Sequence, residues 1–184
     1  TAEINGKPVI VSGDDFTVRG GSADASIAGK RLQAEGLAVE LRLPHIRLVD
    51  GMGGGGSVKT IETAGRTYIP RVAGWEVIVG HLGIAPSVSL ALGSVAGIGA
   101  ARVSSSHYSV IVKDTAQMMI AGPALVDWAN LGDVSKEELG SSKIHTRNGA
   151  IDDEAQSEEE AKEKLKKMTK EEIIGLMSRT SSCF

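Results

Sequence analysis

The chain has 184 residues, a formal net charge of −3, a single cysteine, 23 glycines and only 3% aromatic residues. Its length suits one domain with its own core, its charge argues against nucleic acid or an anionic membrane surface as a principal partner, and one cysteine excludes an internal disulfide. No run reaches the roughly 18 apolar residues of a membrane span, so we expect a soluble protein of the cytoplasm or the mitochondrial matrix, with an α/β core of small aliphatic side chains.

The N-terminal part predicts a hairpin, a helix and a strand. Residues 8–13 and 16–21 are rich in strand-forming residues and are separated by a Gly-Asp-Asp turn, which favours a hairpin. Residues 23–43 carry apolar side chains at mostly helical spacing, and Pro44 ends this helix. Residues 45–50 then form an apolar run typical of a buried strand.

Four consecutive glycines, Gly53–Gly56, follow this strand and lead into residues 57–65, which begin a short helix. Residues 72–83 predict another helix, closed by its last glycine, and residues 86–93 predict a buried strand. A second glycine-rich turn leads into a helix within residues 93–105. The same order thus occurs twice: a buried strand, a glycine-rich turn and a helix.

The C-terminal part predicts two short strands and two short helices before a charged tail. The strands span residues 108–114 and 117–122, and the helices span 122–130 and 135–140, the second ending at Gly140. Beyond residue 150 the chain is strongly charged with few apolar positions, so we expect light packing there. Capping-box spacings at Ser157 and Glu160, and at Thr169 and Glu172, predict two helices in this tail.

The two glycine-rich turns allow three interpretations. A phosphate-binding loop is disfavoured because Gly56 is followed by Ser57, with Lys59 displaced from the place that such a loop requires. Peptide N–H groups at a helix N-terminus are unpaired, so two turns can aim two N–H groups at an oxygen that becomes negative during a reaction. In the third interpretation, both turns are tight crossovers that use glycine for its backbone freedom.

No side chain shows the spacing of a catalytic acid, base or nucleophile, and no metal site is expected. The serines at 104–106 lack a G-x-S-x-G pattern and are typical of a helix end. The histidines are interpreted as structural: His45 in a strand, His81 near a helix end, His107 between a helix and a strand, and His145 in a loop.

Five blocks of the sequence carry a family resemblance: GDDFTVRGGS, LPHIRLVDGMGGGG, ALGSVAGIGAARV, VKDTAQMMIAGPALV and VSKEELGSSKIHTRNGAID. In this order they resemble the β-subunit carboxyltransferases of biotin-dependent acyl-CoA carboxylases, of the propionyl-CoA and methylcrotonyl-CoA type. The resemblance implies an α/β, crotonase-like (ClpP/crotonase) spiral of ββα units. Residues 1–152 would be the N-terminal carboxyltransferase domain, which binds acyl-CoA, and residues 153–184 a charged helical extension.

The resemblance also implies the chemistry and its site. The carboxyl group passes from carboxybiotin to the α carbon of an acyl-CoA, or to the vinylogous γ carbon, through an enolate, and the biotin ureido anion removes the proton. The protein then has only to position the partners and stabilise oxyanions. The implied oxyanion donors are the backbone N–H groups of Gly53, Gly54, Gly55, Gly97 and Ile98. On the CoA side the implied residues are Ala96, Gly99, Arg19 and Lys59, with Lys30 and Arg31 as further phosphate contacts.

The implied partners are a biotin carboxylase, a biotin carboxyl carrier protein, a C-terminal carboxyltransferase domain and further copies in a homo-oligomer. Family subunits contain two such domains in tandem, whereas this chain resembles only the first, so we expect it to be inactive without a C-terminal partner domain. Two alternatives stay open: a non-catalytic assembly or binding module of a carboxylase complex, and a stand-alone crotonase-type acyl-CoA decarboxylase or hydrolase.

Overall fold

The computed structural model describes residues 1–21, 28–51 and 74–167, and none of the helices in these ranges has the length and apolar character needed to cross a membrane. The strands are β1 (Ala2–Ile4), β2 (Lys7–Gly13), β3 (His45–Val49), β4 (Ser87–Ala91), β5 (Ser94–Ala96), β6 (Tyr108–Val112), β7 (Gln117–Met119) and β8 (Asp153–Ala155). The helices are α1 (Ala28–Leu41), α2 (Trp75–Leu82), α3 (Ile98–Ser104), α4 (Pro123–Trp128), α5 (Lys136–Gly140), α6 (Ser142–Asn148) and α7 (Glu158–Lys167), and a 3₁₀ turn spans Arg19–Gly21.

The main sheet has the strand order β1-β2-β3-β4-β6-β8, and β5 and β7 form a second, two-stranded sheet. From β2 onward the pairs are parallel, and only β1 is antiparallel to its neighbour. Every residue of β4 is buried, as expected for a strand with both faces covered. Leu90, Val110 and Ile111 form the centre of the core, against which α3 packs Val103. Because parallel strands end at the same edge, the segments that follow β2, β3 and β4 meet there.

The N-terminal hairpin differs from the predicted one. Residues 16–21 form a turn and a 3₁₀ turn, because the Asp15 carboxylate accepts hydrogen bonds from the N–H and the hydroxyl of Thr17, which competes with strand pairing. The hairpin lies earlier, where β1 and β2 join through Asn5 and Gly6, whose φ angles of 52° and 75° suit a type I′ turn. The predicted strand over residues 16–21 is therefore wrong.

Most other predicted elements are confirmed within the described residues. Arg42, at a φ of 53°, closes α1 before Pro44, and Gly83 is the C-cap of α2. The strands β3, β4, β6 and β7 and the helices α3, α4 and α5 lie inside their predicted ranges. The predicted helix over 57–65 and the starts of those over 23–43 and 72–83 lie outside the described residues.

The C-terminal part contains more structure than predicted. α6 directly follows α5, so His145 lies in a helix and the predicted loop is wrong. β8 pairs with β6, and α7 buries Ala161 against the same core, contrary to the light packing expected. Ser157 caps α7 by accepting from the N–H of Glu160, as its spacing predicts. The second predicted helix, after Thr169, lies outside the described residues.

Candidate active site

The candidate site lies at the edge where β3 and β4 end and from which both glycine-rich turns leave the sheet. After β3, Gly51 packs backbone to backbone against Gly20 and Gly21, and a β-carbon on Gly51 or Gly21 would overlap the facing chain. This close approach requires glycine on both sides. The rest of the first turn, which carries Gly53, Gly54, Gly55 and Lys59, lies outside the described residues.

The second turn connects β5 to α3 through Gly97. This residue has a φ of 58° and a ψ of −120°, a combination that residues with a β-carbon rarely adopt. Its N–H donates to the carbonyl of Met119 in β7 at 3.0 Å, and the N–H of Ala96 donates to the carbonyl of Gly51 at 3.3 Å. The second turn is therefore tied to β7 and to the start of the first turn.

Three backbone N–H groups have no carbonyl acceptor within the described ranges where α3 begins. They belong to Ile98, Gly99 and Ala100, and such unpaired groups are usual for the first residues of a helix. Gly99 is buried and Ile98 half-buried. Gly97 was also expected to be a donor, but its N–H is engaged by Met119. The N–H groups of Ile98 and Gly99, one and two positions further along, are thus able to donate to the oxygen of a ligand.

A cavity of about 470 Å³ opens beside this edge, between β2 and α1. Lys30 and Arg31 line it, together with Gly21, which packs against the end of β3. Lys30 is exposed, whereas Arg31 is half-buried and donates to the carbonyl of Gly21 at 2.5 Å. The structure thus brings two of the basic residues expected on the CoA side to one cavity, and the backbone of Arg19 lies in the adjoining 3₁₀ turn.

A buried ion-pair cluster fixes the helices that flank the site. The side chain of Asp14, which follows β2, is 2% exposed, and its carboxylate lies 3.1 Å from Nε of Arg31 and 3.2 Å from Nη1 of Arg102. Arg31 belongs to α1 and Arg102 to α3. One carboxylate therefore links α1 to α3, the helix at whose start the N–H groups of Ile98 and Gly99 lie.

A second buried network lies at the opposite edge, where β3 and β4 begin. The Glu35 carboxylate of α1 accepts hydrogen bonds from Nε and Nη2 of Arg47 and from Nδ1 of His45, each at 2.9 Å. Arg47 also donates to the hydroxyl of Ser87 at 2.8 Å. Sequence spacing gave no sign of this network, since its members come from α1, β3 and β4.

The remaining histidines also bond to the protein itself. Nε2 of His81 donates to the carbonyl of Leu43 at 3.0 Å, and Nδ1 of His107 accepts from a backbone N–H at 3.1 Å. Burial lowers the pKa of both imidazoles, which favours their neutral form. These bonds agree with a structural interpretation of the histidines. The described part of the chain contains no group of three potential metal ligands.

Asp50 is a carboxyl group at the site that the sequence did not single out. It follows β3, and its carboxyl group packs so closely on Gly93 that a β-carbon there would overlap it. Burial, with the negative charges of Asp14, Glu158 and Asp15, raises its pKa. The carboxyl group forms no hydrogen bond or ion pair with the described residues. Its environment depends on acidic residues from distant segments, which sequence spacing cannot reveal.

Comparison with known proteins identifies the same family that the sequence resembles. A family model described as the carboxyl transferase domain matches residues 2–172. The propionyl-CoA carboxylase beta chain of Homo sapiens is 33% identical over 152 residues, which are 80% of this chain and 26% of the human one. The methylcrotonoyl-CoA carboxylase beta chain of Arabidopsis thaliana is 35% identical over 157 residues, which are 84% of this chain and 26% of that protein. The chain thus spans about a quarter of the length of these relatives.

Solved structures show the same fold. Transcarboxylase 12S, solved with methylmalonyl-coenzyme A and methylmalonic acid bound, matches with a TM-score of 0.71 and 24% identity, over 88% of this chain and 31% of that one. The predicted α/β, crotonase-like class is confirmed. The chain therefore belongs to the carboxyl transferase domain family, which includes the β chains of propionyl-CoA and methylcrotonoyl-CoA carboxylases.

Proposed function

We propose that this chain is the acyl-CoA-binding half of a biotin-dependent carboxyltransferase, which transfers a carboxyl group to the α carbon, or the vinylogous γ carbon, of an acyl-CoA. The observation that carries the proposal is the turn at Gly97, which presents the N–H groups of Ile98 and Gly99 close to Gly51, where the first glycine turn begins. Family membership supports this reaction class.

In the proposed mechanism the chain holds the thioester and stabilises its oxygen as an enolate forms. The N–H groups of Ile98 and Gly99 donate to that oxygen, and a preorganised donor of this kind contributes about 3–4 kcal/mol in the transition state. The Gly53–Gly55 turn would aim further backbone N–H groups at the same thioester oxygen. Carboxybiotin, brought on a carrier protein, supplies the carboxyl group and the base. Because carboxybiotin supplies the base, the chain needs no catalytic side chain, and its backbone N–H groups are sufficient to stabilise the enolate oxygen.

The cavity beside β2 is the proposed place for the CoA moiety. Lys30 is exposed at its rim and forms no ion pair within the described ranges, so its ammonium group is available for a phosphate. Arg31 lines the cavity, but its guanidinium already forms an ion pair with Asp14 and donates a hydrogen bond to the Gly21 carbonyl. Arg19 and Lys59 remain proposed phosphate contacts, and Ala96 and Gly99 proposed backbone contacts.

The proposed partners are a biotin carboxylase, a biotin carboxyl carrier, a second carboxyltransferase domain and further copies of the chain. An apolar surface, formed by Ile120, Leu125, Trp128 and Leu131, suits the second domain, because these side chains are 63–84% exposed. Ile120 directly follows Met119, whose carbonyl holds the N–H of Gly97, so the apolar surface is continuous with the site. The relatives extend well beyond the matched part and have length for such a domain.

Replacing Ile98 by proline tests the proposal. Ile98 is the first residue of α3, where proline is tolerated, so Ile98→Pro removes the N–H but keeps the helix, whereas Ile98→Val keeps both. Calorimetric titration with propionyl-CoA and free CoA should show that the wild type and Ile98→Val prefer the thioester. In Ile98→Pro this preference should fall about five- to tenfold, the effect of one neutral hydrogen bond.

Equal preference in the wild type and Ile98→Pro would contradict the role of this N–H. Failure of both ligands to bind at millimolar concentration, with or without the second domain, would instead favour the non-catalytic assembly module. Carboxyl transfer should appear only after the second domain and the biotin-bearing partners are added.

A second candidate function, decarboxylation of a malonyl-type CoA ester without biotin, is favoured by Asp50. In such a step the bond between the α carbon and the carboxylate breaks, CO₂ leaves, and the electron pair forms the enolate held by the N–H groups. The Asp50 carboxyl group then gives its proton to the α carbon and regains one from water. Burial and the neighbouring carboxylates raise the pKa of Asp50, which favours the protonated form that this step requires.

This activity is measured as release of CO₂ and acetyl-CoA from malonyl-CoA in the absence of biotin. We expect Asp50→Asn to lower the rate by about 10²-fold or more, the usual loss for a general acid, and Asp133→Asn, at an exposed position, to leave it unchanged. No turnover by the wild type would eliminate this candidate and leave the carboxyltransferase proposal untouched.

A further inference from the structure

We propose that His145 is a positioning residue for the oxyanion turn, which acts through β7 on the N–H groups that follow Gly97. The inference rests on the proposed function, because it names a residue that holds that same site in place. His145 itself contacts neither the acyl-CoA nor biotin in this proposal.

His145 fixes one carbonyl of β7. The residue lies on α6, and its Nε2 is 2.6 Å from the carbonyl oxygen of Met118. Since a carbonyl oxygen only accepts, Nε2 carries the proton. Met118 is 4% exposed, so water has little access to replace the imidazole as donor.

The next carbonyl of β7 holds the oxyanion turn. Met119 accepts the N–H of Gly97 at 3.0 Å. Successive carbonyls of a strand point to opposite sides, so His145 binds β7 from one side and Gly97 binds it from the other. β7 has only three residues, and a displacement of this short strand would move Gly97 and the N–H of Ile98 with it.

Two further features indicate that the segment over residues 140–145 is shaped to hold β7. Gly140 lies so close to Met118 that a β-carbon would overlap the Met118 carbonyl. Nδ1 of His145 is buried and has no hydrogen-bond partner within the described ranges. An apolar side chain would avoid this unpaired nitrogen, which indicates that the imidazole is present for its Nε2 donor.

The test compares His145→Leu, which removes the donor, with His145→Gln, whose side-chain amide replaces it, in the full chain. Hydrogen–deuterium exchange followed by NMR reports on the Gly97 N–H, and calorimetry reports the preference for propionyl-CoA over free CoA. We expect His145→Leu to speed exchange at Gly97 by about tenfold and to lower the thioester preference about fivefold. Exchange at Val110 and Ile111 in the core should not change, and His145→Gln should restore both properties.

Exchange at Gly97 that stays at the wild-type rate in His145→Leu would overturn the inference. If this variant does not fold, His145→Asn, whose amide is too short to reach Met118, must show the same two changes. A wild type without thioester preference would contradict the proposed function, and the exchange rates would still decide whether His145 positions the turn.

Discussion

At the residue scale, Glu35 shows how the fold stabilises a buried charge. Glu35 is 2% exposed. Its carboxylate accepts two hydrogen bonds from the Arg47 guanidinium and one from the His45 imidazole. Burial raises the pKa of Glu35, but the hydrogen bonds from His45 and Arg47 outweigh it and lower the pKa from 4.5 to about 2. The folded pKa lies below the unfolded one, so this stabilisation is complete above about pH 4.5 and is lost as the pH falls toward 2.

Glu35→Gln should destabilise the protein at pH 7 by about 3–5 kcal/mol, because the charge of Arg47 is left buried without its partner. The difference in the free energy of unfolding between wild type and variant should shrink as the pH falls from about 4.5 toward 2. Urea denaturation over this pH range measures both effects. Glu40→Gln, at an exposed position of the same helix, is the control and should change stability by less than about 0.5 kcal/mol. A pH-independent difference for Glu35→Gln would contradict this pKa.

At the scale of elements, the junction between β5 and α3 determines where the N–H groups proposed as oxyanion donors point. Gly97 reverses the chain at a φ of 58° and a ψ of −120°, so that α3 begins beside the end of β3. Three links hold this junction: the Gly97 bond to β7, the Ala96 bond to Gly51, and the Arg102 ion pair with Asp14. The geometry of the site is therefore a property of how β3, β5, β7 and α3 meet.

Gly97→Ala should destabilise the protein by about 1–3 kcal/mol, because a β-carbon strains this backbone conformation. Gly80→Ala is the matched control, since Gly80 lies on the exposed face of α2 with open space around it. That substitution should stabilise the helix by about 0.5–1 kcal/mol. Chemical denaturation measures both, and equal effects of the two substitutions would show that Gly97 is not under backbone constraint.

At the scale of the whole molecule, the chain combines a closed core with an open apolar surface. The central strands are buried on both faces, whereas Ile120, Leu125, Trp128 and Leu131 lie exposed beside the candidate site. A protein surface of this kind is usually covered by a partner. The division into residues 1–152 and an extension over 153–184 stays a prediction, although β8 and α7 contribute to the core.

Trp128 provides a direct test of the proposed partner surface. The chain has two tryptophans, so Trp75→Phe leaves Trp128, which is 84% exposed, as the fluorescent probe. Addition of a second carboxyltransferase domain should shift its emission to shorter wavelength and protect it from iodide quenching. Trp128→Lys should weaken the association at least about tenfold, the loss expected for a central aromatic anchor. Unchanged emission on complex formation would place the interface elsewhere.

Several features of the candidate site were visible in the sequence. The glycine turn at Gly97 and the helix after it were predicted at their observed places, because glycine and helix ends are local signals, whereas β5, directly before Gly97, was not predicted. Asp50, the Asp14 cluster and the role of Met119 were missed. Their partners are far apart in the chain, and no local spacing records a contact between β3, β7 and α3.

The sequence by itself determined the order of most strands and helices, the glycine-rich turns and, through its blocks of resemblance, the family. These depend on periodicity, turn chemistry and composition, which neighbouring residues carry. Only the tertiary structure decided that the Gly97 N–H is engaged by Met119, that the N–H groups of Ile98 and Gly99 have no carbonyl acceptor among the described residues, and that buried carboxylates hold α1 and α3 in place. The physical reason is that a free donor or a buried charge is defined by what surrounds it, and those surroundings form only when distant segments pack together.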